Sequence, residues 1–156
     1  MSAETLTPTV NTTWCLEVDT SATETPAYTQ VRSLNQLTPP VVAYTTQDAT
    51  DYDSEGWGSD AITLRKWSCT ATALRKTNLA GAYDPGQEAL RAAAETGELV
   101  HVRLYERRTG GEAYEGSAQV QWTPVGGDPT GLNAATVTLM GQGPRVEITN
   151  PTTVTP

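Results

Sequence analysis

Apolar and polar side chains alternate with a period of two along most of this chain, and that alternation confines it to a mainly β fold. Trp14, Leu16 and Val18 alternate with Cys15, Glu17 and Asp19. In the segment Ile62 to Lys76, Trp67, Cys69, Ala71 and Ala73 face one way, and Lys66, Ser68, Thr70 and Thr72 the other. From Glu98 to Arg107, Val100, Val102 and Leu104 oppose Leu99, His101, Arg103 and Tyr105, a strand that can be covered on both faces. Beyond the Gly-rich turn Thr109 to Glu112, Tyr114, Gly116, Ala118, Val120 and Trp122 alternate with Glu115, Ser117, Gln119 and Gln121. Runs at 28–32, 41–46, Ala134 to Met140 and Arg145 to Thr149 complete the set of seven or so strands.

One segment breaks the pattern. Asp84 reads as an N-cap, Pro85 as the first helical residue, Gln87 as the capping-box partner and Gly97 as a left-handed C-terminal cap. Ala89, Leu90, Ala93 and Ala94 give the helix a small-residue face. The expected fold is an antiparallel β-sandwich or barrel-like domain with one flanking helix at about Pro85–Thr96. At 156 residues the chain suits one domain, placed at 1–149, with 150–156 as a flexible C-terminal tail.

A long acidic, aromatic loop, Gln47 to Asp60 (QDATDYDSEGWGSD), interrupts the strands. It carries Asp48, Asp51, Asp53, Glu55 and Asp60, with Tyr52 and Trp57 and no basic residue. Long loops in compact domains are usually functional or disordered, and exposed aromatics argue for a surface that buries them. The loop is expected to dock on something. The formal net charge of −8 lies in residues 1–61, which hold nine acids and one base, Arg32, whereas residues 62–156 hold nine of each. That segregation reads as a solvated acidic face, or as head-to-tail complementarity between copies. An acidic protein is a poor binder of duplex DNA, which requires Lys and Arg to displace counterions.

The chemistry of catalysis is sparse. His101 is the only histidine and lies within a strand, with no nucleophile elbow in the sequence, so the chain is not expected to be an enzyme. Cys15 and Cys69 are too few for a disulfide scaffold and read as buried or half-buried thiols. With one histidine they offer no zinc spacing, and neither a phosphate cradle nor a cofactor motif is present. Asp51, Asp53, Glu55 and Gly56 imitate the opening of a calcium loop, but Ile62 stands where the closing glutamate belongs, which excludes an EF-hand and leaves weak divalent-cation binding at most. No apolar run approaches the ~20 residues that cross a bilayer, and the first residues lack the charge and hydrophobicity of a secretion signal. Cytoplasmic folding without a membrane anchor is expected.

The run Thr50 to Gly58 (TDYDSEGWG), followed by a strand with Trp67 and the paired bases Arg75 and Lys76, resembles the tail tube (major tail) proteins of long-tailed bacteriophages. The architecture matches over nearly the whole chain, the motif only over Thr50 to Lys76. The short tail and the lack of an appended immunoglobulin-like domain depart from better-known members. The resemblance implies a structural virion protein that forms hexameric rings, stacked into the hollow conduit through which DNA leaves the capsid. It implies assembly in the host cytoplasm with tail tip or initiator, tape measure and terminator proteins, and passage of DNA without specific binding. On this reading residues 1–12 form an N-terminal arm and 47–61 a stacking loop. Inter-ring contacts fall to Asp48, Asp51, Tyr52, Asp53, Glu55, Trp57 and Asp60, against a basic surface at Arg65, Lys66, Arg107 and Arg108. Ser68, Thr70, Thr72, Glu115, Ser117, Gln119 and Gln121 face the lumen, where acids and amides do not grip phosphates. The alternatives are a β-sandwich binding module for carbohydrate or a host surface, using Tyr52, Trp57 or Trp122, and the inner tube of a contractile or secretion apparatus. A small hydrolase would require His101.

Overall fold

The alternation resolves into nine strands of one antiparallel sheet with a single α-helix among the described residues. The computed structural model describes residues 3–152. In chain order the strands are β1 (Trp14–Asp19), β2 (Tyr28–Gln30), β3 (Leu34–Leu37), β4 (Val41–Asp48), β5 (Asp60–Leu74), β6 (Leu99–Glu106), β7 (Ala113–Val125), β8 (Ala134–Gly141) and β9 (Val146–Glu147). The helix, α1 (Pro85–Thr96), lies between β5 and β6 and has the bounds its caps imply. Hydrogen bonding orders the strands β2-β1-β6-β7-β8-β5-β3, with β4 also on β5 and β9 also on β7. The mainly antiparallel β fold with one flanking helix is as expected; the sheet curls but does not close into a barrel.

The closure fails at one place for a visible reason. The chain leaves β1 at Val31, whose N–H bonds Leu16 O at 2.9 Å, and joins β5 at Ser33, whose O accepts from Leu74 N–H at 2.8 Å. The start of α1 holds this crossing. Asp84 accepts from Arg32 N–H at 3.1 Å as well as capping Gln87 N–H at 3.1 Å. The buried Gln87 side chain donates to Arg32 O at 2.7 Å and Leu74 O at 3.1 Å and accepts from Arg75 at 3.0 Å. Gln87 therefore does not complete the expected capping box, because the crossing chain offers it better buried partners. A Cβ on Gly86 would lie 2.4 Å from Gln30 O, so only glycine lets the helix approach this closely.

The core fills one face of the sheet. Leu16, Val18, Val102, Leu104, Val120, Val137 and Leu139 pack with Leu90 and Ala93 of α1. Trp67 lies against Gly116 and Gly141, where a Cβ would meet its indole at 2.8 and 2.4 Å. Its Nε1 is buried without a hydrogen-bond partner among the described residues. Cys15 and Cys69 are free and buried; Cys69 donates to Thr38 O at 3.0 Å, and burial pushes its thiol pKa up to about 12. A smaller cluster of Cys15, Tyr105 and Ala113 sits under Ile148. Asn150, assigned above to the loose tail, is buried and donates to Glu106 O at 2.7 Å and Gly111 O at 3.1 Å. Residues 153–156 of that tail, and residues 1–2 of the N-terminal arm, lie outside the described residues. Residues 3–10 are exposed and carry no regular structure.

Candidate functional site

Strands β4 and β5 run past the rest of the sheet as a two-stranded hairpin. The β5–β8 ladder stops at Ser68–Met140, but β4 and β5 stay paired through Tyr44–Arg65, Thr46–Ile62 and Asp48–Asp60. The loop is therefore shorter than Gln47–Asp60: both of those residues are in the ladder, and residues 49–59 form the tip. Nor is the tip structureless. Asp51 caps a 3-10 turn at Tyr52–Ser54, accepting from Asp53 N–H at 3.1 Å and Ser54 Oγ at 2.9 Å, and Ser54 Oγ accepts from Asp51 N–H in return. Glu55 and Gly56, both at positive φ, turn the chain back. Thr50 Oγ1 accepting from Ser59 N–H at 2.9 Å closes the neck. Short polar side chains bonding their own backbone make a turn without a packed core.

What the hairpin lacks is cover. Residues 60–66 of β5 are all exposed, and in β4 only Val42 is half-buried. Val41, Tyr44, Ile62 and Leu64 lie on the surface, Tyr52 is fully exposed and Trp57 is 79% exposed. A β-bulge at Thr45–Thr46 bends the hairpin at mid-length. Apolar area gathered on one projecting element is unusual for a monomer.

The acidic residues Asp48, Asp51, Asp53, Glu55 and Asp60 surround the tip. The hydroxyl and N–H of Thr50 hold the Asp48 carboxyl below its ordinary pKa. Among the described residues no three metal-ligating side chains converge. The four expected bases lie at the same end of the sheet but fall in two places. Arg65 and Lys66 are at the hairpin's base, where the Arg65 guanidinium lies 6.0 Å from the Tyr44 ring. Arg107 and Arg108 are in the β6–β7 turn. Arg108 is already engaged, its Nε bonding buried Glu106 at 2.9 Å, while Arg65, Lys66 and Arg107 have no ion pair among the described residues.

The second surface is the polar face of the sheet. Ser68, Thr70 and Thr72 of β5 and Gln119 and Gln121 of β7, nominated separately from sequence, are joined across β8. The registers align Ser68–Met140–Gln119, Thr70–Thr138–Gln121 and Thr72–Thr136–Thr123 as rows on one face. These rows hold no Lys or Arg. Ser117 and Glu115 continue the face onto β6 and β1, where the charges pair. His101 Nε2 is 3.5 Å from Glu115, and Arg103 Nε is 2.5 Å from Glu17, which also accepts from Tyr105 at 2.7 Å. Burial, and then the Glu17 carboxylate, drive the Tyr105 hydroxyl pKa well up. Thr123, Thr136, Thr138 and Met140 escaped the sequence reading because only the register shows that β8 lies between β5 and β7. The Thr136–Thr138 alternation was the available signal.

No protein-family model and no curated protein sequence matches the chain. Solved structures do share its fold. A chain of the SPP1 tail tube aligns with a TM-score of 0.73 at 14% identity, covering 94% of this chain and 82% of that one. A chain from the tail of the empty gene transfer agent particle, a structure with C6 symmetry, gives 0.71 at 16% identity, with 90% and 99% covered. A chain of the six-fold symmetrised anti-feeding prophage baseplate gives 0.64 at 10% identity, with 93% and 98% covered. This chain therefore has the fold found in those tail tube, tail and baseplate assemblies.

Proposed function

We propose that this protein is a structural tail tube subunit: copies form six-fold rings, and stacked rings make a hollow conduit for DNA. The observation that carries the reading is the fold likeness to the SPP1 tail tube over 94% of the chain. Two features of the molecule support it. The hairpin projects an apolar, acidic surface that no described residue of its own chain covers. The polar rows across β5, β8 and β7 suit a channel wall, because hydroxyls and amides without Lys or Arg do not hold phosphates. On this reading Ser68, Thr70, Thr72, Gln119 and Gln121 face the lumen, with Glu115 and Ser117 at its margin. No covalent chemistry is assigned to the chain.

Rings then meet through the hairpin tip and the N-terminal residues. Tyr52 and Trp57 supply most of the contact energy, as aromatics do at interface hot spots. The tip acids and the basic residues that face them on the neighbouring copy set register and association rate, since exposed ion pairs contribute only ~0–1 kcal/mol each. Tape measure, tip or initiator and terminator proteins are the further partners of such a subunit. It would reside in the virion tail after assembly in the host cytoplasm.

Negative-stain electron microscopy of the purified protein, dilute, concentrated and seeded with preformed tube fragments, tests the proposal. Rings or hollow tubes of uniform width are expected. A monomer that persists at every concentration and fails to extend seeds contradicts it.

A further inference from the structure

The place where the sheet fails to close is a cleft with two strand edges facing into it. Along its outer edge β1 pairs with β2 only from Glu17 onward, and β3 pairs with β5 alone. The cleft between them has an apolar floor that includes Trp14, Leu34 and Leu37. Its charged lining residues are Arg32 and Arg107, with no acid among them. Both arginines are exposed, and neither has an ion pair among the described residues. In a chain of net charge −8, an acid-free groove carrying two arginines stands out, a character it shares with the groove at the hairpin base. Unpaired strand edges supply backbone donors and acceptors to an incoming extended segment.

We propose that this cleft receives the acidic hairpin tip of a second copy of the chain. The inference rests on the self-assembly proposed above and gives it a receptor surface. Complementarity is threefold. The tip, with Asp48 and Asp60 at the end of its ladder, brings five carboxylates and no base to two arginines. It brings Tyr52 and Trp57, uncovered in their own chain, to an apolar floor. It brings an extended two-stranded element to two open edges. A chain cannot fill its own cleft, because the β4–β5 ladder holds through Asp48–Asp60. At about 3.3 Å per residue, that ladder carries the tip more than 20 Å beyond Trp67. The rival receptor is the groove at the hairpin base, lined by Arg65 and Lys66. It lacks an acid too and lies along the β5 edge that β8 leaves unpaired beyond Ser68, but Arg145 there is already tied to Pro40 O at 2.8 Å and stacked 4.1 Å from the Tyr114 ring.

Disulfide trapping separates the two. In a Cys15→Ala background of the full chain, Asp53→Cys with Asn35→Cys reports docking in the cleft, and Asp53→Cys with Arg65→Cys reports the rival. After assembly and oxidation, the first pair is expected to give a ladder of covalent oligomers on a non-reducing gel and the second to stay monomeric. The reverse pattern, or tubes in the microscope with no bond in the first pair, overturns the cleft and leaves the tube reading intact. Wild-type protein that never assembles, even on seeds, overturns the tube reading, and the cleft falls with it. As an independent readout, Arg32→Glu with Arg107→Glu should raise the concentration for half-assembly at least tenfold with an unchanged unfolding midpoint. Unaltered assembly contradicts the proposal.

Discussion

The β7–β8 pair and the β4–β5 hairpin are written in the same alternating code and end in opposite surroundings. In β7 and β8 the alternate residues Ala118, Val120, Val137 and Leu139 are buried beneath α1 and the curl of the sheet. In the hairpin, Val41, Tyr44, Ile62 and Leu64 remain in water. A period of two specifies a strand; it does not specify what covers the strand. In the sheet body the cover comes from the chain's own helix and curvature. For the hairpin the account assigns it to other copies, so body substitutions should alter folding and hairpin substitutions should alter association.

The sharpest way to break this division is to truncate an aromatic in each region. Trp67→Ala empties the space between Gly116 and Gly141 and should cost about 3–5 kcal/mol by chemical denaturation. Tyr52→Ala with Trp57→Ala should leave the unfolding free energy within about 0.5 kcal/mol of wild type while abolishing tubes under the microscope. A hairpin variant that unfolds early, or one that still polymerises, removes the distinction.

A smaller effect sharpens the body side. Gln87→Ala strands Arg32 O and Leu74 O and leaves Arg75 Nη1 without its Gln87 partner, which should lower stability by about 1–3 kcal/mol for each buried group left unsatisfied. Asp84→Ala removes the cap of α1 and should cost about 1 kcal/mol; calorimetry of the two variants should rank them in that order. The pH response is smaller again. The side-chain bond from Arg91 holds Glu88 below its ordinary 4.5, that from Arg108 does so for Glu106, and the N–H of Ser21 holds Asp19 below its ordinary 3.8. Depressed carboxylates contribute fully above their unfolded values and lose that contribution as pH falls through their folded ones. Melting temperature should therefore be insensitive to these groups near neutrality and decline below about pH 4.5. Neutralising exposed Asp48 should not change that profile measurably.

Much of the body was legible in the sequence. The helix bounds followed from Asp84, Pro85 and Gly97, and the polar faces of β5 and β7 from their alternation. β3 was not legible, because a bulge between Leu34 and Gln36 breaks its period of two. The role of Gln87 was misread because a capping-box residue and a buried bridge between distant segments look alike in one dimension. The order of the tip was not legible because it comes from Asp51, Ser54 and Thr50 bonding the local backbone, and hydrophobic periodicity does not register such turns. The cleft between β1 and β3 was hidden for a different reason: Trp14 and Leu34 come to line one cleft only through the curl of the whole sheet.

On the proposed function, the polar rows line a channel while the hairpin builds it. A cryo-electron microscopy reconstruction of assembled tubes tests this most directly. Six-fold rings with Thr70, Thr138 and Gln121 facing the lumen and α1 outside are expected. Tubes whose channel is lined by α1, with those three residues on the outer surface, would contradict it.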